Sequence, residues 1–335
     1  LRAVVVACAG LFVLSAGSGC AVMNGSPIPT KTAPSNYRNW KAEFATLPEA
    51  TLADDVVQIK NVRNCLWVTD EDFILRHYDR TFRLSDVRSV DFFVVPFTGA
   101  EILAHTMLSF GLADGTYLAI SVEVRLEEGT QYDPLLGAMR QFELTYVVAD
   151  ERDVVLLRTA HRKVDVYCYR STASPAQAQA MLKDMLARVN GLARQPEFYD
   201  TITNNCTTNI VDHINRLAAG RAPADVRVML PGLADQYAYD LGLIDRKLPF
   251  AETKRRARIN DLADQYLEAP DFSQKIRARM RVPTFSLPPA ALSLPSAAAS
   301  LPPAAASLPP AALASPELSL DLSGMQASPP IAPAP

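Results

Sequence analysis

No pair of cysteines spaced as CxxC occurs in this sequence, and its four histidines are scattered along it. A structural zinc site draws on closely spaced Cys and His ligands, so none is expected. There is no GxGxxG run and no P-loop. The nucleotide and dinucleotide fingerprints are therefore missing, and no cofactor is expected. A basic excess is missing too. The 33 Lys and Arg residues face 36 Asp and Glu, a net charge of −3, which gives no sign of nucleic-acid binding. The apolar stretch from Leu1 to Gly19 falls short of the ~20 residues that a membrane-spanning helix needs.

What is present falls into three parts. Arg2 followed by Val4-Val5-Val6 and Leu11-Phe12-Val13-Leu14 reads as an export signal over residues 1–20 rather than as part of the fold. Gly17-Ser18-Gly19-Cys20 resembles a bacterial lipobox with Cys20 as the lipidated residue, although Gly17 stands where that pattern usually has leucine. A cleaved signal, a lipid anchor or an uncleaved anchor each leaves the remainder outside the cytoplasm. At the other end, residues 283–335 repeat Ser-Leu-Pro-Pro-Ala-Ala, as at Ser286–Ala291, Ser300–Ala305 and Ser307–Ala312. Proline removes backbone donors and the side chains are small, so this tail cannot offset its ordering entropy and is expected to be disordered. The folded part is expected over residues 36–281.

Within it, periodicity predicts strands at Asp55–Val62, Ser89–Phe97 (stopped by Pro96), Ala104–Phe110 and Thr116–Arg125. Gly111 to Gly115 reads as a turn. Further strands are expected at Glu143–Val148, Asp153–Arg158 and Val164–Tyr169. The period then changes. Ser174-Pro175 opens a helix in the favoured order, with an apolar stripe of Met181, Leu182, Met185, Leu186, Val189 and Leu192. A second helix runs from Cys206 to Leu217, with Ile210, Val211, Ile214 and Leu217 as its buried face. Leu233–Leu241 and Lys254–Leu267 also read as helices. The expected class is α+β, an antiparallel sheet packed on helices.

Five cysteines are present, two of them in the signal region. Cys65, Cys168 and Cys206 leave at least one thiol free even if the other two pair. Cys206 stands out because it follows Asn204-Asn205, residues suited to capping a helix. The field of a helix start stabilises a thiolate. A thiol nucleophile needs a base, usually histidine. His213 is seven residues along the same helix, ~10 Å away at 1.5 Å per residue, so it is expected to face solvent or to support the far half of the helix. His77 reads as surface or loop and His161 as a basic turn between strands. His105, in apolar Ile102–Leu108, is the candidate base. Ser121 and Glu123 share a strand face and can orient it, Glu123 by stabilising the imidazolium. Otherwise Glu123 pairs with Arg125. A sheet histidine facing a helix-start cysteine is a papain-like arrangement, here in circularly permuted order.

Several segments together resemble one bacterial envelope family. They include Asn61-Val62-Arg63-Asn64, Tyr78-Asp79-Arg80-Thr81, Ala104-His105-Thr106, Leu118–Glu123 and Tyr239–Asp245. The strongest are Pro196-Glu197-Phe198-Tyr199 and Thr203–Ile210. The chain is similar over about residues 36–276 to the periplasmic N-terminal domain of Lnb-type lipoprotein N-acyltransferases. That resemblance implies a permuted papain-like thiol fold related to lecithin:retinol acyltransferase, and a Cys–His centre at Cys206 and His105. Such enzymes carry a membrane-embedded C-terminal part, whereas here a Pro/Ala/Ser tail follows Arg281.

The expected function is a cell-envelope acyltransferase or hydrolase acting on lipid or lipoprotein acyl groups. In it His105 takes the Cys206 proton, and the Cys206 N–H with Asn205 holds the oxyanion. The expected location is the periplasm, anchored at the outer rather than the inner membrane. The alternatives are a peptidoglycan cysteine peptidase or amidase and a non-catalytic binding module.

Overall fold

A computed structural model describes residues 31–280. The expectations for residues 1–20, with Cys20, and for 283–335 lie outside the described residues. Ten strands are present: β1 (Glu49–Ala53), β2 (Val56–Arg63), β3 (Leu66–Trp67), β4 (Phe73–Ile74), β5 (His77–Arg83), β6 (Val87–Phe97), β7 (Ala100–Leu112), β8 (Tyr117–Arg125), β9 (Glu143–Asp150) and β10 (Tyr167–Arg170). Eight form one sheet in the order β1-β2-β9-β8-β7-β6-β10, with β5 pairing β2. β3 and β4 make a separate hairpin. The main sheet is antiparallel except where β2 meets β9 in parallel at Arg63 and Ala149, so it is mixed rather than wholly antiparallel.

Both faces of the sheet are covered, which explains its continuous apolar runs. Successive side chains alternate between faces. Phe92 and Val94 of β6 enter one core and Phe93 and Val95 the other, as do Tyr146 and Val147 of β9. The first face packs against α2 (Pro175–Arg194) and α3 (Cys206–Leu217); α1 (Glu151–Leu156) and the segment from α6 (Asn260–Gln265) to Ile276 cover the second. α2 begins as its sequence predicts. Ser174 accepts the Gln177 N–H while the Gln177 side chain accepts the Ser174 N–H. Its six stripe residues are all buried, each worth about 1.5–3 kcal/mol by area.

Four local expectations are corrected. Asp153–Arg158 is helical, because Asp150 caps the Arg152 N–H and the buried carboxylates of Glu151 and Asp153 meet Arg277 and Arg63. Beyond α1 the helix widens into a π stretch, Leu157–His161. Pro96 does not stop β6, since β10 covers only Asp91 to Val94. At Pro96 that side of the strand is an edge, where a missing N–H costs nothing. Gly111 belongs to β7, opposite Tyr117, and the turn falls later, at Gly115 with φ +83°. Finally, Lys254–Leu267 splits into α5 (Phe250–Ala257) and α6. Between them Arg258 bridges to Tyr167, the Ile259 N–H bonds the Val166 carbonyl, and Asn260 clasps Val164 and Val166.

The start of β7 is held from outside by a 3-10 turn, Pro231–Leu233, that precedes α4 (Ala234–Asp240). A Cβ on Gly232 would collide with the backbone of Glu101 and Ile102. Backbone cannot yield as a side chain can, so Gly232→Ala is expected to cost about 1–3 kcal/mol, the usual penalty of overpacking. Urea unfolding at neutral pH checks this.

Candidate active site

β7 and β8 pair from Gly111 and Tyr117 to Met107 and Ser121 and no further. Both strands run on, however, and they part at the level of His105 and Glu123. The opening leads into a cavity of about 740 Å³ whose lining includes Cys206, His105 and Glu123. Aromatic walls come from Trp67, Phe73 and Tyr132.

His105 Nε2 lies 2.6 Å from Ser121 Oγ and 3.2 Å from Glu123 Oε1. The Ser121 hydroxyl donates to Glu123 Oε1 at 2.6 Å. The period-2 rule thus brings His105, Ser121 and Glu123 together as expected. Arg158 is a partner that the sequence did not reveal: its Nη2 donates to Glu123 Oε1 at 2.9 Å and its Nη1 to the Val154 carbonyl. Reading Asp153–Arg158 as a strand hid it. Glu123 makes no pair with Arg125, which instead bonds Asn36 and the carbonyls of Phe44 and Ala45.

Cys206 is buried at the first position of α3, with Sγ 3.8 Å from the Ala104 carbonyl and 3.9 Å from Thr207 Oγ1. Asn205 is the cap. Its Oδ1 accepts the Thr208 N–H, and its Nδ2 donates to the Thr201 carbonyl. One Nδ2 hydrogen is thus held by the turn, and the other has no partner among the described residues. The cap leaves the Cys206 and Thr207 N–H groups of the first turn without a partner among the described residues.

The charges follow from this packing. Burial disfavours the His105 imidazolium, yet Glu123 outweighs it and holds the histidine up at about 9, with Arg158 pulling the other way. Glu123 is likewise penalised by burial, but His105 and Arg158 keep its carboxyl well below the usual range. Burial also raises the Cys206 thiol. The influence of the neighbouring His105, assisted by Thr106, overcomes this and leaves the thiol below its ordinary value. Cys65 and Cys168 are buried, free and not joined to each other. Burial pushes Cys65 up to about 12 and Cys168 well above the usual thiol range.

His213 is fully buried rather than facing solvent. Its Nε2 meets Tyr146 Oη at 2.9 Å and its Nδ1 meets Asp184 at 2.6 Å. The Tyr146 hydroxyl also donates to Asn209 Oδ1 at 3.0 Å, and Asn209 Nδ2 donates to the Asn205 carbonyl and to Asn204 Oδ1. This chain of buried polar groups runs back along α3 to the turn before Cys206. His77 opens β5 and His161 ends the π stretch, and neither lines the cavity. Asn209→Ala leaves several of these groups unsatisfied, and each such loss costs about 1–3 kcal/mol. The expected result is a stability loss of about 2 kcal/mol or more, measured by urea unfolding.

The β3–β4 hairpin carries two of the aromatic walls. Asp153 fixes it, accepting from Arg63 Nε and Nη2, the Cys65 N–H and Trp67 Nε1 at 2.8–3.0 Å. Trp67 and Phe73 contact each other at a ring separation of 4.6 Å. The only sequence signal for this wall was the rarity of tryptophan, with two in the chain.

Fold and site together define an α+β domain with a mixed sheet, clad by helices on both faces, and a helix-start cysteine at a charged cavity. Residues 75–232 match the family model described as the Lnb N-terminal periplasmic domain, and over that span the chain is similar to that family. The matched span contains His105, Ser121, Glu123 and Cys206. No curated protein and no solved structure gives a match. Among the described residues no helix is long and apolar enough to cross a membrane, and no group of three or more His, Cys, Asp or Glu could hold a metal ion.

Proposed function

We propose that this protein is a thiol-dependent acyltransferase or hydrolase of the cell envelope, with Cys206 as nucleophile and His105 as base. The observation that carries the proposal is the His105–Ser121–Glu123–Arg158 cluster in the cavity that Cys206 also lines. The order of sheet histidine before helix cysteine suits a circularly permuted papain-like arrangement. In the resting site His105 holds the proton and Cys206 the negative charge. The thiolate attacks an ester carbonyl, forming a C–S bond and an oxyanion. The Cys206 N–H at the positive end of α3 is suited to hold that oxyanion. When the C–O bond breaks, the imidazolium gives its proton to the leaving alkoxide, and a thioester remains on Cys206. An amine or water then attacks the thioester while His105 takes its proton, and the thiolate leaves. Glu123 keeps the imidazolium charged, and Ser121 fixes its ring. The acyl group of a lipid or lipoprotein is the substrate class that the family resemblance favours. Lipidation at Cys20, anchoring the domain at the outer membrane, belongs to the same proposal.

The test is to incubate the full chain with p-nitrophenyl octanoate, quench in acid and map the adduct. An octanoyl thioester on Cys206, removed by hydroxylamine, supports the reading; an adduct elsewhere, or none, opposes it. One observation favours a second reading, a peptidoglycan peptidase or amidase. The cavity walls also carry Arg63, Asp70, Glu71 and Arg162, a polar lining suited to a peptide. Release of muropeptides from purified peptidoglycan, lost in Cys206→Ala, would select it.

A further inference from the structure

A second cavity, of about 390 Å³, lies on the face of the sheet that α2 and α3 cover. Neither Cys206 nor His105 lines it. Its size falls within the ~300–1,000 Å³ range of ligand sites. Phe92 and Leu108 line it from the sheet, Met181 from α2, Ile210 and Ile214 from α3, and Tyr237 from α4. The apolar stripe of α3 explains why it exists. The sequence put Val211, Ile214 and Leu217 on the buried face, yet the first two are only half-buried and Leu217 is 42% exposed. The stripe faces a space where packing partners would otherwise be. Native interiors leave few voids larger than a water molecule, and an apolar cavity favours an apolar occupant.

Charge says what kind of occupant. Among the described residues that line the cavity, Arg221 alone is charged. It is exposed in the turn after α3, where its backbone N–H bonds the Ala218 carbonyl. Its guanidinium makes no ion pair with any described residue. An apolar chamber with one unpaired cation at its lining complements a single-chain molecule bearing one negative charge. We propose that this cavity binds a long-chain fatty acid, with its hydrocarbon along α3 and its carboxylate at Arg221. The site is independent of the thiol chemistry proposed above.

The experiment titrates the full chain with cis-parinaric acid, a fluorescent fatty acid, below its micelle concentration and then displaces it with palmitate or hexadecanol. The expected result is saturable binding of one probe per chain, unchanged in Cys206→Ala. Palmitate should compete about five-fold better than hexadecanol, the advantage of one exposed charge pair. Arg221→Gln should remove that difference by weakening palmitate, and the probe with it, while leaving hexadecanol unchanged. Ala180→Phe places a ring in the cavity and should weaken the probe at least about ten-fold while alkylation of Cys206 proceeds as in the wild type. Three results would overturn the proposal. They are the absence of saturable binding, equal competition by acid and alcohol in the wild type, and Ala180→Phe binding the probe as tightly as the wild type.

Discussion

Replacing Cys206 with alanine is expected to abolish thioester formation and to slow release of p-nitrophenolate from p-nitrophenyl octanoate by about 10⁴-fold or more, the scale on which lost nucleophiles act. No other thiol in the described fold can substitute. Cys65 and Cys168 are buried, and burial holds both thiols protonated at neutral pH. The substitution should leave the fold intact. Alanine suits the first turn of a helix, and the Asn205 cap does not involve the sulfur. A Cys206→Ala protein with native circular dichroism and unchanged turnover would remove the thiol from the mechanism.

The second large effect is expected from Glu123→Gln. Glutamine keeps an acceptor for Ser121 and Arg158 but takes away the charge that raises His105 to about 9. Burial and the Arg158 charge then lower the histidine with only Cys206 left to hold it up. At pH 7 the ring shifts toward its neutral form, and the Cys206 thiolate loses its counterion while burial still penalises it. Alkylation of Cys206 by iodoacetamide at pH 7 should slow by about 10–100-fold, one to two pH units of lost thiolate. The same pair sets a stability window. His105 is raised in the folded state, so its contribution is full below its ordinary 6.5 and lost as pH rises through about 9. Glu123 is lowered, so its contribution is present above its ordinary 4.5 and lost as pH falls through its folded value. Cys206 is lowered in the folded state, so its contribution grows as pH rises and opposes the loss at His105. In Cys206→Ala, where that opposition is gone, urea unfolding should weaken from pH 6.5 to 9, and adding Glu123→Gln should remove the dependence. An unchanged alkylation rate would mean that Glu123 does not govern the pair.

Local signals made much of this legible. The capping box at Ser174 and the cap at Asn205 are written within four residues of chain, so both helix starts were readable. Alternation put Ser121 and Glu123 on one face, and both indeed meet His105. What failed depended on distant partners. Val154-Val155-Leu156-Leu157 has the composition of a strand, and it is helical because Arg63 and Arg277 reach in from other parts of the chain to meet the carboxylates of Asp153 and Glu151 just before it. Arg158 was lost with that reading. His213 reads from the sequence as facing solvent or supporting the far half of its helix, and only the first is ruled out, because nothing local announces Tyr146 and Asp184. The apolar residues of α3 were assigned to a packed core, whereas several of them line a cavity.

The most direct measurement is the peptide-resolved rate of iodoacetamide labelling at Cys206 between pH 5 and 9, wild type beside His105→Ala. The thiol reading predicts a rate that persists well below the range of a free thiol in the wild type. In the variant it should collapse, because burial then acts on the sulfur with only Thr106 against it. Equal profiles in the two proteins, or a Cys206 that labels only at the pH of an ordinary thiol, would contradict it.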